Sequence, residues 1–145
     1  MDKIIAYGRY VGSLRRLALR MKDGRESALR RAAEIFAGII PQGSVVVPMP
    51  SRTGHATTML RVAEYMAKIR PDVLPMDVLE SDAHESMYVI KKRGENPMPF
   101  AVRMVGRIPT GRDVYIIDNV TSSGTTARCA LSAIPSASVM AIAKP

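Results

Sequence analysis

Alternation of short β-branched runs with amphipathic helical patterns predicts an α/β domain whose mainly parallel sheet is flanked by helices. Three observations carry this. Val45-Val46-Val47 is a strand without hydrophobic alternation, as expected where both faces of a sheet are covered. Val114-Tyr115-Ile116-Ile117 is a second such run, ending on Asp118. Between and around them, apolar residues recur at helical spacing. The 145 residues suffice for one domain, 1–145, with a core that needs no staples.

Taken in order, Leu14, Leu17, Ala18 and Met21 repeat as one face of a helix over residues 10–21, with Arg15, Arg16 and Arg20 elsewhere on it. Lys22-Asp23-Gly24 breaks it. Ala28, Leu29, Ala32, Ile35, Phe36 and Ile39 mark a second helix, stopped by Pro41-Gln42-Gly43. The strand at residues 44–47 then enters a loop, Pro48-Met49-Pro50-Ser51-Arg52-Thr53-Gly54, and a helix follows over residues 56–69 until Pro71. Residues 73–79 read as a strand interrupted by Pro75. Residues 80–109 are rich in charges and breakers, so they are expected to form a long loop or small subdomain of the lid type. The strand at 113–117, a helix over 125–134 and a strand over 138–143 complete the reading. The ligand crevice of such a sheet lies at the carboxyl ends of its strands, so the loops after Val47 and Ile117 should converge.

The formal charge of +8, from 21 Lys and Arg against 13 Asp and Glu, favours an anionic partner: nucleotide, pyrophosphate, nucleic acid or acidic membrane. Cys129 is the sole cysteine, which excludes an intrachain disulfide and a Cys-based zinc site and suits a reducing cytoplasm. No apolar run reaches signal-peptide or spanning length, so a soluble protein without membrane contact is expected. His55 and His84 have no partner at metal-binding spacing and read as structural or exposed, and Cys129 reads as a small packed hydrophobe.

The stretch after Ile117 carries the chemistry. Asp118-Asn119-Val120 leads into Thr121, Ser122, Ser123, Gly124, Thr125 and Thr126, small residues that open a helix. Such residues let backbone N–H groups approach an anion at a helix N-terminus, which suits a phosphate. The Asp118 carboxylate beside it could take hydroxyl hydrogen bonds or help hold a metal ion. Phosphate plus hydroxyls suggests a sugar phosphate.

Residues 114–126 resemble the signature loop of type I phosphoribosyltransferases. Val45-Val46-Val47-Pro48-Met49-Pro50-Ser51-Arg52 with Gly54, and Leu14-Arg15-Arg16-Leu17 to Met21-Lys22, are similar to the ComF-like, competence-associated branch. The resemblance implies a Rossmann-like fold with 80–109 as hood or flexible loop. It also implies a cytoplasmic glycosyltransferase of nucleotide metabolism, which uses magnesium to transfer ribose 5-phosphate from phosphoribosyl pyrophosphate to a nucleobase or amine, releasing pyrophosphate. It gives Asp118 and Asn119 the catalytic position at the ribose, with magnesium possible through Asp118. Residues 121–126 would form the 5-phosphate cup, Ser51 and Arg52 would meet pyrophosphate, and Lys91, Lys92 and Arg93 would belong to the mobile hood. A homodimer is a further implication of the fold.

Asn119 stands where the family has a second acid. An amide binds magnesium more weakly than a carboxylate does. A non-catalytic sugar-phosphate-binding or regulatory protein is therefore one alternative, and a nucleic-acid-associated protein of the competence type is a second.

Overall fold

A computed structural model describes residues 3–83, 92–94 and 101–145. The chain forms β1 (Ile4–Arg9), α1 (Gly12–Lys22), α2 (Glu26–Ala37), β2 (Val45–Pro48), α3 (Thr58–Ile69), β3 (Leu74–Pro75), β4 (Leu79–Ser81), β5 (Val102–Met104), β6 (Val114–Val120), α4 (Thr125–Ala133) and β7 (Ser138–Lys144). Five strands pair in the order β1-β7-β6-β2-β3, every pair parallel, while β4 and β5 form a separate antiparallel pair. This is the α/β architecture expected, and it is compatible with a Rossmann-like fold.

Parallel strands buried on both faces explain the unbroken apolar runs. Val45, Val46 and Val47 are all fully buried, as are Ile116 and Ile117. The two faces carry separate cores. Val46, Ile117, Met140 and Ile142 pack against α1, α2 and α3, with Phe36, Leu29, Val62 and Met66 filling the space between. On the other face Val45, Val47, Ile116 and Val139 meet Ala127, Ala130 and Ile134 of α4, and the β4–β5 pair contributes Leu79 and Val102. Helix α2 presents seven buried residues in two stripes, at Ala28, Leu29, Ala32, Ala33, Ile35, Phe36 and Ala37, which is why its small alanines bring it close to its neighbours.

Four differences from the sequence expectation matter for the site. Strand β1 replaces an N-terminus considered only for a leader. Its alternate burial, with Ile5, Tyr7 and Arg9 exposed, is that of an edge strand and lacks the continuous apolar signal of β2. Strand β3 is only two residues long, because Pro75 cannot donate to a ladder and Met76 closes the pairing by its N–H to Val46 O, 2.9 Å. Residues 79–81 then leave the main sheet to pair with β5. Strand β6 continues through Val120, so Asp118 and Asn119 are strand residues rather than part of the loop. Among the described residues no helix is long and apolar enough to cross a membrane.

The connections fix where a ligand could sit. From β2 the chain moves through α3 outward to β3; from its neighbour β6 it moves through α4 the opposite way, to β7. The switch in strand order therefore falls between β2 and β6, the place where the ligands of such sheets generally bind.

Phe36 is fully buried in the helical core. Phe36→Ala should lower unfolding free energy by about 3–5 kcal/mol, read as an earlier urea midpoint at unchanged slope.

Candidate functional site

Strand periodicity divides the pair at the end of β6. Val114 and Ile116 face α4 while Tyr115 and Ile117 face α1, α2 and α3, so Asp118 belongs to the α4 side and Asn119 to the other. Asp118 is half-buried at the end of β6. Burial pushes the carboxyl up to about 7, opposed by the Asn119 N–H, which donates to Oδ1 at 2.7 Å. Among the described residues no cation pairs with it.

Asn119 is engaged elsewhere. Its Nδ2 donates to Ala18 O at 3.0 Å, tying β6 to the middle of α1. Its Oδ1 is buried with no hydrogen-bond partner among the described residues. The two residues given one role at the sequence level thus face opposite sides of the sheet.

Beyond Val120 the loop is short. Thr121 is buried, and its N–H donates to Ala143 O at 3.1 Å, anchoring the loop to the end of β7. Ser122 and Ser123 are exposed. Gly124 adopts φ +81°, which favours glycine, and a Cβ there would stand 2.7 Å from Arg128 Nη1. Ser123 Oγ lies 2.9 Å from Thr125 Oγ1 and accepts the Thr125 N–H at 3.3 Å. The Arg128 N–H to Gly124 O bond, 2.9 Å, begins the α4 ladder, so the N–H groups of the preceding turn point out of the helix start; Thr126 lies half-buried within it.

A hollow of about 240 Å³ adjoins this loop, lined by Thr121, Ser122, Ser123, Gly124, Arg128 and Lys144 together with β1 residues Ile4 and Ala6. Arg128 folds back so that Nη1 donates to Ser123 O at 3.2 Å. Neither cation was among the sequence candidates. Arg128 follows Gly124 by one helical turn, a signal the spacing could have given; Lys144 reaches the loop only because β7 pairs with β6.

The loop after β2 leaves at the same sheet edge, since Pro48 pairs with Ile117 and the Met49 N–H donates to Ile117 O at 3.0 Å. Ser51 closes on itself: its Oγ donates to His55 O at 2.9 Å and lies 2.6 Å from Thr53 Oγ1. Arg52 is exposed. Gly54 at φ +105° accepts the Ser81 N–H at 2.9 Å, and a Cβ would lie 2.5 Å from Ser81 O, so this loop is fastened to β4. His55 Nδ1 stands 3.8 Å from Glu80 Oε1. Lys92 and Arg93 are exposed on a turn before Gly94, whereas Lys91 and His84 lie outside the described residues. Cys129 is half-buried on α4.

A larger hollow of about 400 Å³ lies at the opposite ends of the strands, around Gln42, Gly43, Asp72, Arg112 and Asp113. Its acid is already committed. Asp72 accepts from Arg70 Nη2 at 2.6 Å and from the Gly43 N–H at 2.8 Å, which hold its carboxyl down at about 2. Arg70 in turn donates to Ala37 O at 3.0 Å and to Ile40 O, closing the end of α2. That arrangement supports the fold, and the carboxyl-end hollow is the better candidate site. No family model matches the chain, and no curated protein is similar to it.

Two outcomes test this geometry. Because the folded Asp118 holds its proton up to about 7 while the unfolded residue releases it in the ordinary carboxylate range near 3.8, the native state binds the extra proton between them. Stability should therefore fall as pH rises across that interval, by on the order of 1 kcal/mol per pH unit, and level off above it. Asp118→Asn should flatten the profile when urea unfolding is followed from acid to neutral pH. Asn119→Asp would set a carboxylate against Ala18 O, acceptor against acceptor; thermal unfolding should show a loss of about 1–3 kcal/mol.

Proposed function

We propose that the chain binds phosphoribosyl pyrophosphate as a type I phosphoribosyltransferase-like protein of the ComF-like kind, and transfers ribose 5-phosphate to a nucleobase or amine. The observation that carries this reading is the carboxyl followed at once by a small-residue helix start, set at the switch point of a parallel sheet. Residues 121–126 would take the 5-phosphate through N–H groups and hydroxyls. Asp118 would take the ribose hydroxyls, and Ser51 and Arg52 would lie toward the pyrophosphate. Lys91, Lys92 and Arg93 remain the proposed hood cations, on a cytoplasmic enzyme of nucleotide metabolism whose fold would allow a homodimer.

In the transfer, the bond from the anomeric carbon to pyrophosphate breaks with its electron pair leaving on oxygen. A carbon–nitrogen bond forms, and the acceptor nitrogen gives up its proton. Fixed cations favour the charge that grows on the leaving group.

Magnesium fits this donor set only as an ion carried by the substrate. Among the described residues no group of three or more His, Cys, Asp or Glu could cage a metal, but one carboxylate with substrate phosphates is a common magnesium arrangement. Asp118 would be that carboxylate. Bound there, magnesium would supply positive charge against the leaving pyrophosphate.

The Asn119 amide, already spent on Ala18 O, favours a second reading, in which the site holds a sugar phosphate without turnover. Calorimetric titration should give magnesium-dependent binding of phosphoribosyl pyrophosphate, abolished in Asp118→Ala and weakened at least about tenfold in Gly124→Ala, because an alanine takes the φ of +81° at this turn only with strain and so distorts the loop. No heat at millimolar ligand refutes both readings. Pyrophosphate release across purine, pyrimidine and amine acceptors decides between them.

A further inference from the structure

The two edges of the main sheet differ in how they are protected. At one edge β3 is two residues long and ends on Pro75, which has no N–H to offer a further strand. At the other, β1 runs for six residues, Ile4–Arg9, without a proline, and among the described residues it pairs with β7 alone. Lys3 O accepts the Val139 N–H at 2.7 Å, so alternation along the strand turns the N–H and C=O of Ala6 away from β7, toward the open side. A strand of this length can template about 20 Å of added chain.

The side chains of this edge are apolar as well as exposed. Ile5 is 39% exposed, Tyr7 49%, and Val11, just past the strand, 65%. Alternation places Ile5, Tyr7 and Arg9 in one row on the same face of β1, so an added strand would meet two apolar side chains and then a cation. Covering Ile5 and Tyr7 with apolar side chains of that strand removes surface from water, and the main-chain ladder fixes its register.

Charge around the edge has one sign. β1, its neighbours α1 and β7, and α4, which packs on β7, hold Arg9, four cations of α1, Arg128 and Lys144, and not one Asp or Glu. On α2, by contrast, Arg30 pairs with Glu26 at 3.5 Å and Arg31 with Glu34 at 3.1 Å. A second copy of the chain joining β1 to β1 would bring two such basic regions together, and like charges oppose that pairing. A strand carrying carboxylates meets the region with opposite charge. An anionic membrane would attract the cations, but it would leave the outward peptide groups of β1 without partners in its apolar layer.

We propose that the open edge of β1 is a docking site for an extended acidic peptide of a partner protein, added to the main sheet as a sixth strand. Fluorescence anisotropy with a labelled, end-blocked peptide of alternating Glu and Val, about eight residues long, tests it. Binding should be in the range of about 10–100 μM at about 50 mM salt and weaken about tenfold at about 0.5 M. The same peptide N-methylated at every residue has no N–H to donate and should bind at least about tenfold more weakly, as should a peptide of alternating Lys and Val. Hydrogen exchange at the Ala6 N–H should slow when the acidic peptide is present. Arg9→Glu should weaken binding at least about tenfold, while Arg107→Glu, the same change on an exposed arginine outside these elements, should weaken it less than about twofold.

The peptide comparisons use the unaltered chain, so they decide the matter even if Arg9→Glu fails to fold. Absence of binding at low salt overturns the proposal, as does unchanged exchange at Ala6, equal binding of the N-methylated peptide, or equal loss in the two variants. A concentration-dependent dimer in sedimentation that Tyr7→Lys dissociates would give the edge to a second copy and also overturn it. Tighter binding of phosphatidylserine vesicles than of the peptide would do the same in favour of a membrane. The Asp118→Ala protein should bind the peptide like its parent, so this result is independent of the sugar-phosphate reading.

Discussion

The pairing of β6 between β7 and β2 is the constraint on which the rest depends. It buries Ile116 and Ile117 from both faces and brings the loops after β2 and β6 to one edge. It also sends the two following helices to opposite sides, α3 to one core and α4 to the other. A strand held on both edges cannot slip by one residue without exchanging its two buried sets, so the register fixes which side chains reach which face. The last three residues of β6 inherit that rigidity, and the loop beginning at Thr121 is anchored again by Ala143 O. A helix start held in this way can present its N–H groups without reorganising.

What was legible in the sequence follows from how complete each local signal was. Val45, Val46 and Val47 announced a covered strand because nothing in the run alternates, and the small residues around Gly124 announced a loop opening a helix, where the glycine takes a φ of +81°. Strand β1 was not legible. Its burial alternates as an edge strand's does, and the partner that makes Ile4-Ile5-Ala6 a strand lies more than a hundred residues away in β7. The 80–109 stretch was readable only as irregular. Its short β4 and β5 are stabilised by pairing with each other and by the Ser81 link to Gly54, which are tertiary facts.

The site was legible in its positions but not in its directions. A pair of adjacent residues ending a strand invites one shared role, yet a strand sends neighbours to opposite faces. Asn119 consequently meets α1, and an amide is the side chain that can donate to Ala18 O where a carboxylate could not. The departure from the acidic pattern thus has a local physical cause within this chain. Its Oδ1 is the counterpart of that latch, since among the described residues the buried amide oxygen gains no donor in return.

Charge links the two regions. Among the described residues no cation pairs with the half-buried Asp118, and its carboxyl is pushed up to about 7, so at neutral pH the site sits between protonated and ionised forms. An arriving cation favours the ionised form and must displace the proton that burial retains, which couples occupation of the site to pH. The exposed arginines of α1 behave differently. They stand in water, and their influence on an anion fades within a Debye length of about 8–10 Å at ordinary salt. One end of β6 therefore joins a carboxyl whose charge depends on what binds to it with a basic, solvent-facing helix, and the Asn119 amide is the covalently short, hydrogen-bonded connection between them.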